Sequence, residues 1–134
     1  MEVTAIMASS LLFQKVENDE TANLPLSIYQ IIGRIDPETS NEFENTLKIF
    51  QKQEKNIIFD FSAITYINSF GIGILVDTQK NLVKNGGNVI ICGLSPSIKK
   101  IFQITYLTRV FDIYDDLNTA LQNVILKLKS AKQA

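Results

Sequence analysis

Two kinds of hydrophobic pattern alternate along this chain, and their order predicts its architecture. Near-continuous apolar runs at Ile57-Ile58-Phe59-Asp60-Phe61 and Val89-Ile90-Ile91-Cys92 have the signature of strands covered on both faces. Before, between and after them, mostly apolar positions recur every three or four residues, the spacing of a helix with one buried stripe. Phe43, Leu47 and Phe50 do so over Pro37 to Glu54. Ile72, Leu75, Val76, Gln79, Leu82 and Val83 do so after Ser69, and Ile98, Ile101, Phe102 and Thr105 after Ser95-Pro96. A last stripe of Leu117, Ala120, Leu121, Val124, Ile125 and Leu128 follows Asp115-Asp116. The punctuation agrees with these boundaries. Asp36-Pro37-Glu38 offers a capping residue, then proline at a first helical position. Lys84-Asn85-Gly86-Gly87 carries a stop signal, and Lys127 and Lys129 suit the negative end of the last helix.

Upstream, Leu11 to Glu17 and Leu26 to Ile32 read as two strands joined by the polar cluster Asn18 to Asn23, the pattern of a hairpin. Val110 to Tyr114 reads as a short edge strand. Met1 to Ser10 shows neither period and is read as an N-terminal tail, with residues 11–134 as one domain. Strand alternating with helix implies βαβ units, hence an α/β domain. Its mostly parallel sheet has four to five strands, an N-terminal hairpin and about four helices, with right-handed crossovers. In such a sheet the loops that leave the carboxyl ends of parallel strands share one rim. Gly33 to Asp36, Thr65 to Phe70 and Gly93 to Pro96 should gather there, with the hydroxyl of Ser69 facing outward at the start of the second helix. Asn68 and Ser69 also suit a plain helix N-cap, worth about 1 kcal/mol.

Composition narrows the function classes. The 134 residues are 46% hydrophobic and 20% charged, enough for one real core. Thirteen basic against fourteen acidic residues give a net charge of −1, which argues against nucleic acid as a partner. No secretory leader pattern and no apolar run of membrane-spanning length occurs, so a cytoplasmic protein without membrane insertion is expected. Histidine is absent, which removes the commonest general base and metal ligand together. A nucleophilic Ser69 would then lack a base, and the Gly-x-Ser-x-Gly elbow is missing around it. Gly71-Ile72-Gly73 lacks the third glycine of a dinucleotide loop, since position 76 is Val76. No enzyme, cofactor or metal is expected. The single cysteine, Cys92, reads as core, and Asp60, inside an apolar strand, sits either at the rim or in a hydrogen bond.

The stretch from Ile57 to Gly73, centred on Asn68-Ser69-Phe70-Gly71-Ile72-Gly73, resembles the signature of STAS domains, and among them the bacterial anti-sigma factor antagonists. Gly33-Arg34-Ile35-Asp36 is similar to the family's turn before the first helix. Gly86-Gly87, Val89 to Cys92 and Leu94-Ser95-Pro96 are similar to its second half. By this resemblance Ser69 is the residue a partner kinase phosphorylates. The implied partners are an anti-sigma factor that is also a serine kinase, bound by the unmodified form and released by the phosphorylated one, and a serine phosphatase that resets the switch. Two positions depart from the motif: Asn68 stands where aspartate is usual, and Phe70 where a second small hydroxyl residue is usual. Arg34, Asp36, Asn68, Phe70, Gly71, Ile72 and Ser95 are read as the contact rim around Ser69. The alternative is a constitutive STAS scaffold, a subunit of a signalling complex or transporter with no phosphate switch.

Overall fold

Strand β4 (Asn56–Ile67) is the axis on which the sheet is built, and successive apolar residues of its first half belong to different cores. Ile57 and Phe59 point to one face and Ile58 to the other, which is why the run reads as unbroken hydrophobicity. The computed structural model describes residues 5–8 and 11–133. In chain order the remaining strands are β1 (Ala5–Ala8), β2 (Leu11–Val16), β3 (Leu26–Ile35), β5 (Asn88–Cys92) and β6 (Asp112–Tyr114). The helices are α1 (Ser40–Gln53), α2 (Ser69–Lys84), α3 (Pro96–Ile104) and α4 (Leu117–Gln133). The six strands lie in sequence order across one sheet. β1, β2 and β3 pair antiparallel, while β3 to β6 pair parallel.

On one face the apolar stripes of α1, α2 and α3 cover the sheet: Phe43, Leu47, Leu75, Leu82 and Phe102 are all at most 1% exposed. On the other face α4 packs through Ala120 and Val124 against Ile28, Ile58, Ile90 and Cys92. Phe50 bridges aromatic rings, stacked on Tyr29 at 4.1 Å and edge-on to Phe13 at 5.9 Å. The end of α2 is closed as its glycines predict. Gly86 takes a left-handed φ of 83°, the Gly87 amide donates back to the Leu82 carbonyl at 2.7 Å, and a Cβ on Gly87 would lie 1.7 Å from the Lys55 carbonyl oxygen.

The α/β class, the hairpin of β2 and β3, the parallel half and the four helices agree with the sequence reading, and four details correct it. The sheet has six strands, because Ala5–Ala8, expected in the tail, pairs with Leu11 to Gln14; the rest of positions 1–10 lies outside the described residues. β3 runs on through Gly33, Arg34 and Ile35, and β4 through Thr65 to Ile67, where loops were expected. Two register shifts explain the miss. β4 carries one extra residue opposite Ile31 and another between Gly33 and Arg34, so its inward side chains fall at Phe59, Phe61, Ile64 and Ile67 rather than at every second position. α1 begins at Ser40, because Asp36-Pro37-Glu38-Thr39 forms a turn instead of a first helical turn. On α2, Ile74 and Thr78 are buried, whereas Val83 is 54% exposed.

Candidate functional site

At the carboxyl ends of β3 and β4 the backbone hands over to two turns that are bonded to each other. The Asn68 amide donates to the Ile35 carbonyl at 2.9 Å, prolonging the parallel ladder by one rung. Asn68 then caps α2: its extended backbone turns the chain, and its side-chain oxygen accepts from the Gly71 amide at 2.8 Å. The same side chain's nitrogen donates to the Ser40 hydroxyl at 3.2 Å, and Ser40 donates in turn to the Asp36 carbonyl at 2.6 Å. An aspartate at position 68 has no such donor. The asparagine thus locks the head of α2 to the turn before α1.

That turn is organised by Asp36. Its carboxylate accepts from the amides of Glu38 at 3.0 Å and Thr39 at 3.2 Å and pairs with the Arg34 guanidinium at 3.3 Å. Partial burial opposes ionisation, but the bond from Arg34, the two amides and the Arg34 charge outweigh it and hold the carboxyl below its ordinary value. Arg34 also lies over the ring of Tyr66, 5.2 Å from its centroid.

Ser69 occupies the first position of α2 and is exposed, and Phe70 beside it is 49% exposed. With the amides of Gly71 and Ile72 bonded to Asn68, those of Ser69 and Phe70 have no hydrogen-bond partner among the described residues and lie at the positive end of a 16-residue helix.

Of the residues read as the contact rim, Arg34, Asp36, Asn68, Ser69 and Phe70 are brought together by these bonds or by adjacency. Gly71 is a correction: it is buried, and a Cβ there would come within 2.6 Å of Ile35 Cγ2, so it seats the helix on the sheet instead of facing a partner. Ile72 is partly buried against the core. Ser95 caps α3, accepting from the Ile98 amide at 3.3 Å, and no hydrogen bond joins its loop to the Asn68–Ser40–Asp36 network among the described residues. That loop packs lower on β4, where Gly93 faces Asp60 and Ser62. Asp60 resolves as both alternatives at once: it is 8% exposed at the end of β5's pairing, and it accepts from the Ser62 amide at 2.9 Å. Two residues the sequence did not single out border Ser69 and Phe70, namely Glu44 of α1 and Asp77 of α2. Nothing in their polar periodicity separates them from any other solvent-facing acid.

A sheet flanked by helices on both faces, with a solvent-facing hydroxyl at the head of its second helix, is the layout of a STAS domain. The chain belongs to that family, which matches residues 14–120. Its relatives include the anti-sigma-B factor antagonist of Listeria monocytogenes, 27% identical over 84 residues, which are 62% of this chain and 74% of that one. The anti-sigma-B factor antagonist of Staphylococcus epidermidis is 33% identical over 76 residues, 56% of this chain and 70% of its own. Among solved structures, an anti-sigma factor antagonist from Mycobacterium paratuberculosis superposes with a TM-score of 0.73 at 23% identity, covering 86% of this chain and 94% of its own. No helix among the described residues is long and apolar enough to cross a membrane.

Proposed function

We propose that this chain is an anti-sigma factor antagonist, a binding module and not an enzyme, whose grip on its partner is switched by phosphorylation of Ser69. The observation that carries the reading is the exposed Ser69 hydroxyl at the first position of α2. A kinase reaches it without unfolding anything. A phosphate there adds about −1.5 to −2 charges where open amides and the helix dipole favour an anion, so the fold survives the modification. A partner packed over the same rim meets a bulky, strongly hydrated group instead of a small hydroxyl. Desolvating it costs several kcal/mol, of the order of a micromolar binding energy. Arg34, Asp36, Asn68 and Phe70 are the surrounding contact residues, and Phe70 is the apolar anchor, since it is half exposed next to the acceptor. The partner is an anti-sigma factor with serine-kinase activity, and a serine phosphatase resets the switch.

The test uses the purified anti-sigma factor kinase with ATP. Intact-mass measurement should show the gain of one phosphate, absent from Ser69→Ala. Ser69→Ala should bind the kinase as the unmodified protein does, and Ser69→Asp should bind it weakly with unchanged circular dichroism. Equal binding by phosphorylated and unmodified protein would refute the switch and leave the constitutive scaffold.

A further inference from the structure

Among the described residues Tyr106 is the one residue other than glycine with a left-handed backbone, at φ 60° and ψ 22°. It follows Thr105, the cap of α3, at the position where glycine ends a helix without strain. A residue with a Cβ holds that conformation at a cost in free energy. The fold does not require the ring. Leu107 and Phe111 anchor the segment instead, both buried, with the Phe111 ring 6.1 Å from that of Phe102, while Tyr106 is 66% exposed. Ile104 just before it is exposed to the same extent, so two large apolar side chains project from the end of α3 without serving the core. The Arg109 guanidinium lies over the Tyr106 ring, 5.2 Å from its centroid.

The charge around them is one-sided. The net charge of −1 conceals an uneven distribution: from Thr78 to Phe111 the chain holds Lys80, Lys84, Lys99, Lys100 and Arg109 and no acidic residue. Lys99 reaches Asp115 beyond β6 at 3.5 Å, whereas Lys84, Lys100 and Arg109 form no ion pair among the described residues. Lys100 and Ile104 stand four positions apart and so share a flank of α3, the one turned away from Lys99. α2 ends beside this segment. Its Gln79 side chain donates to the Val110 carbonyl at 2.9 Å, and one turn further on the exposed Val83 precedes Lys84. Because α2 and α3 run back from the rim that carries Ser69, the cluster lies at the opposite end of the molecule.

We infer that this end of the protein, with Ile104 and Tyr106 projecting and Lys84, Lys100 and Arg109 around them, is a contact surface for an anionic lipid bilayer. The charge calls for a negative partner, and the arrangement of the cations selects its kind. An acidic protein needs a carboxylate placed opposite each of them. These cations stand on two helices and a turn, and mobile anionic headgroups reach each one wherever it is. The apolar groups suit the same surface. A tyrosine ring beneath a guanidinium matches the headgroup boundary, with the ring toward the acyl chains and the arginine among the phosphates. The left-handed backbone at Tyr106 thereby aims the ring outward. The contact is peripheral, made by side chains, and needs no membrane-spanning helix. Ser69 points away from the bilayer, and its rim stays open to other proteins.

The experiment sediments the whole 134-residue chain with vesicles of phosphatidylcholine, either alone or mixed equally with phosphatidylglycerol, at low and high salt. Wild type should pellet with the mixed vesicles, stay in solution with the neutral ones and be released by salt. Tyr106→Gly should melt no lower than wild type and bind about tenfold more weakly, and Ile104→Ser should lose about as much binding. Lys84→Gln and Arg109→Gln should each weaken it about fivefold. The chain has no tryptophan, so Tyr106→Trp supplies a sole reporter, whose emission should move to shorter wavelength with the mixed vesicles only. Absence of pelleting with the mixed vesicles overturns the inference, as does salt-insensitive binding to both kinds of vesicle. Binding of Tyr106→Gly and Ile104→Ser within about twofold of wild type overturns it too. Should Tyr106→Gly melt lower than wild type, Ile104→Ser and Arg109→Gln decide the matter, and wild-type vesicle affinity in both overturns it. Retention of wild type, and not of Tyr106→Gly, on immobilised polyglutamate without vesicle binding assigns the face to an acidic protein and overturns the lipid contact. Ser69 takes no part in any of these measurements, so this inference and the proposed function stand or fall separately.

Discussion

Gly71 and Gly73 stand two positions apart on one helix, and the structure assigns opposite signs to the same substitution in them. At Gly71 an added methyl would lie 2.6 Å from Ile35 Cγ2, 3.0 Å from Ile67 Cγ1 and 3.2 Å from Asn68 Oδ1. None of these neighbours yields easily. Ile35 is fully buried in β3 and stiff at its branched Cβ, Ile67 is 4% exposed, and the Asn68 oxygen is engaged in the helix cap. Overpacking of this kind costs about 1–3 kcal/mol, and disturbing the cap about 1 more. The gain in helix propensity returns about 1 kcal/mol. Gly71→Ala is thus destabilised by about 1–3 kcal/mol. At Gly73 the methyl meets nothing, only the propensity gain remains, and Gly73→Ala is stabilised by up to about 1 kcal/mol. For a domain of this size 1 kcal/mol moves the melting temperature by about 3–5 °C. Thermal melts followed by circular dichroism should therefore place Gly71→Ala about 3–15 °C below wild type and Gly73→Ala a few degrees above it. A Gly71→Ala protein as stable as wild type would show that the head of α2 is not seated on Ile35 and Ile67 as described.

Asn68→Ala removes both the cap to Gly71 and the tie to Ser40, and urea titration should show a loss of about 1–2 kcal/mol with an unchanged m-value. Cys92 is fully buried, and burial first, then the negative Asp60 and Asp116, pushes its thiol up to about 12; Ellman's reagent at pH 8 should leave the native protein unlabelled and react fully once urea is added. The Asp36 carboxyl titrates lower in the folded chain than in the unfolded one, so it stabilises the fold above the unfolded value of about 4 and ceases to do so as pH falls through its own lower value. Melting temperatures of wild type and Asp36→Asn should accordingly differ most at neutral pH and converge below about pH 4; a constant offset across the acid range would exclude this role for Asp36.

Much of the architecture was written in the chain's periodicities. A run such as Val89 to Cys92 has to be covered on both faces, and helical stripes on either side of it in sequence supply the cover, so a parallel sheet between helix layers follows without coordinates. The position of Ser69 at the start of α2 was equally legible, because the change from strand-like to helical spacing falls there. What the periodicity missed lies where the backbone leaves its regular repeat. Two extra residues in β4 break the alternation between Phe61 and Ile67, so the longest strand of the sheet looked like a loop in its last third. Ala5–Ala8 is too short to show a period and exists as a strand by virtue of its pairing with β2.

The surroundings of Ser69 belong wholly to the tertiary structure. Asn68 holding Ser40 across 28 positions of sequence, and Glu44 lining one groove with Ser69, Phe70 and Asp77, are meetings of residues from separate helices. One-dimensional spacing records which face of its own helix a side chain occupies; which other face it meets is fixed by the order and register of the strands beneath. The sequence by itself thus determined that a hydroxyl stands at a helix head on an α/β sheet, and only the folded chain decided what lies beside it.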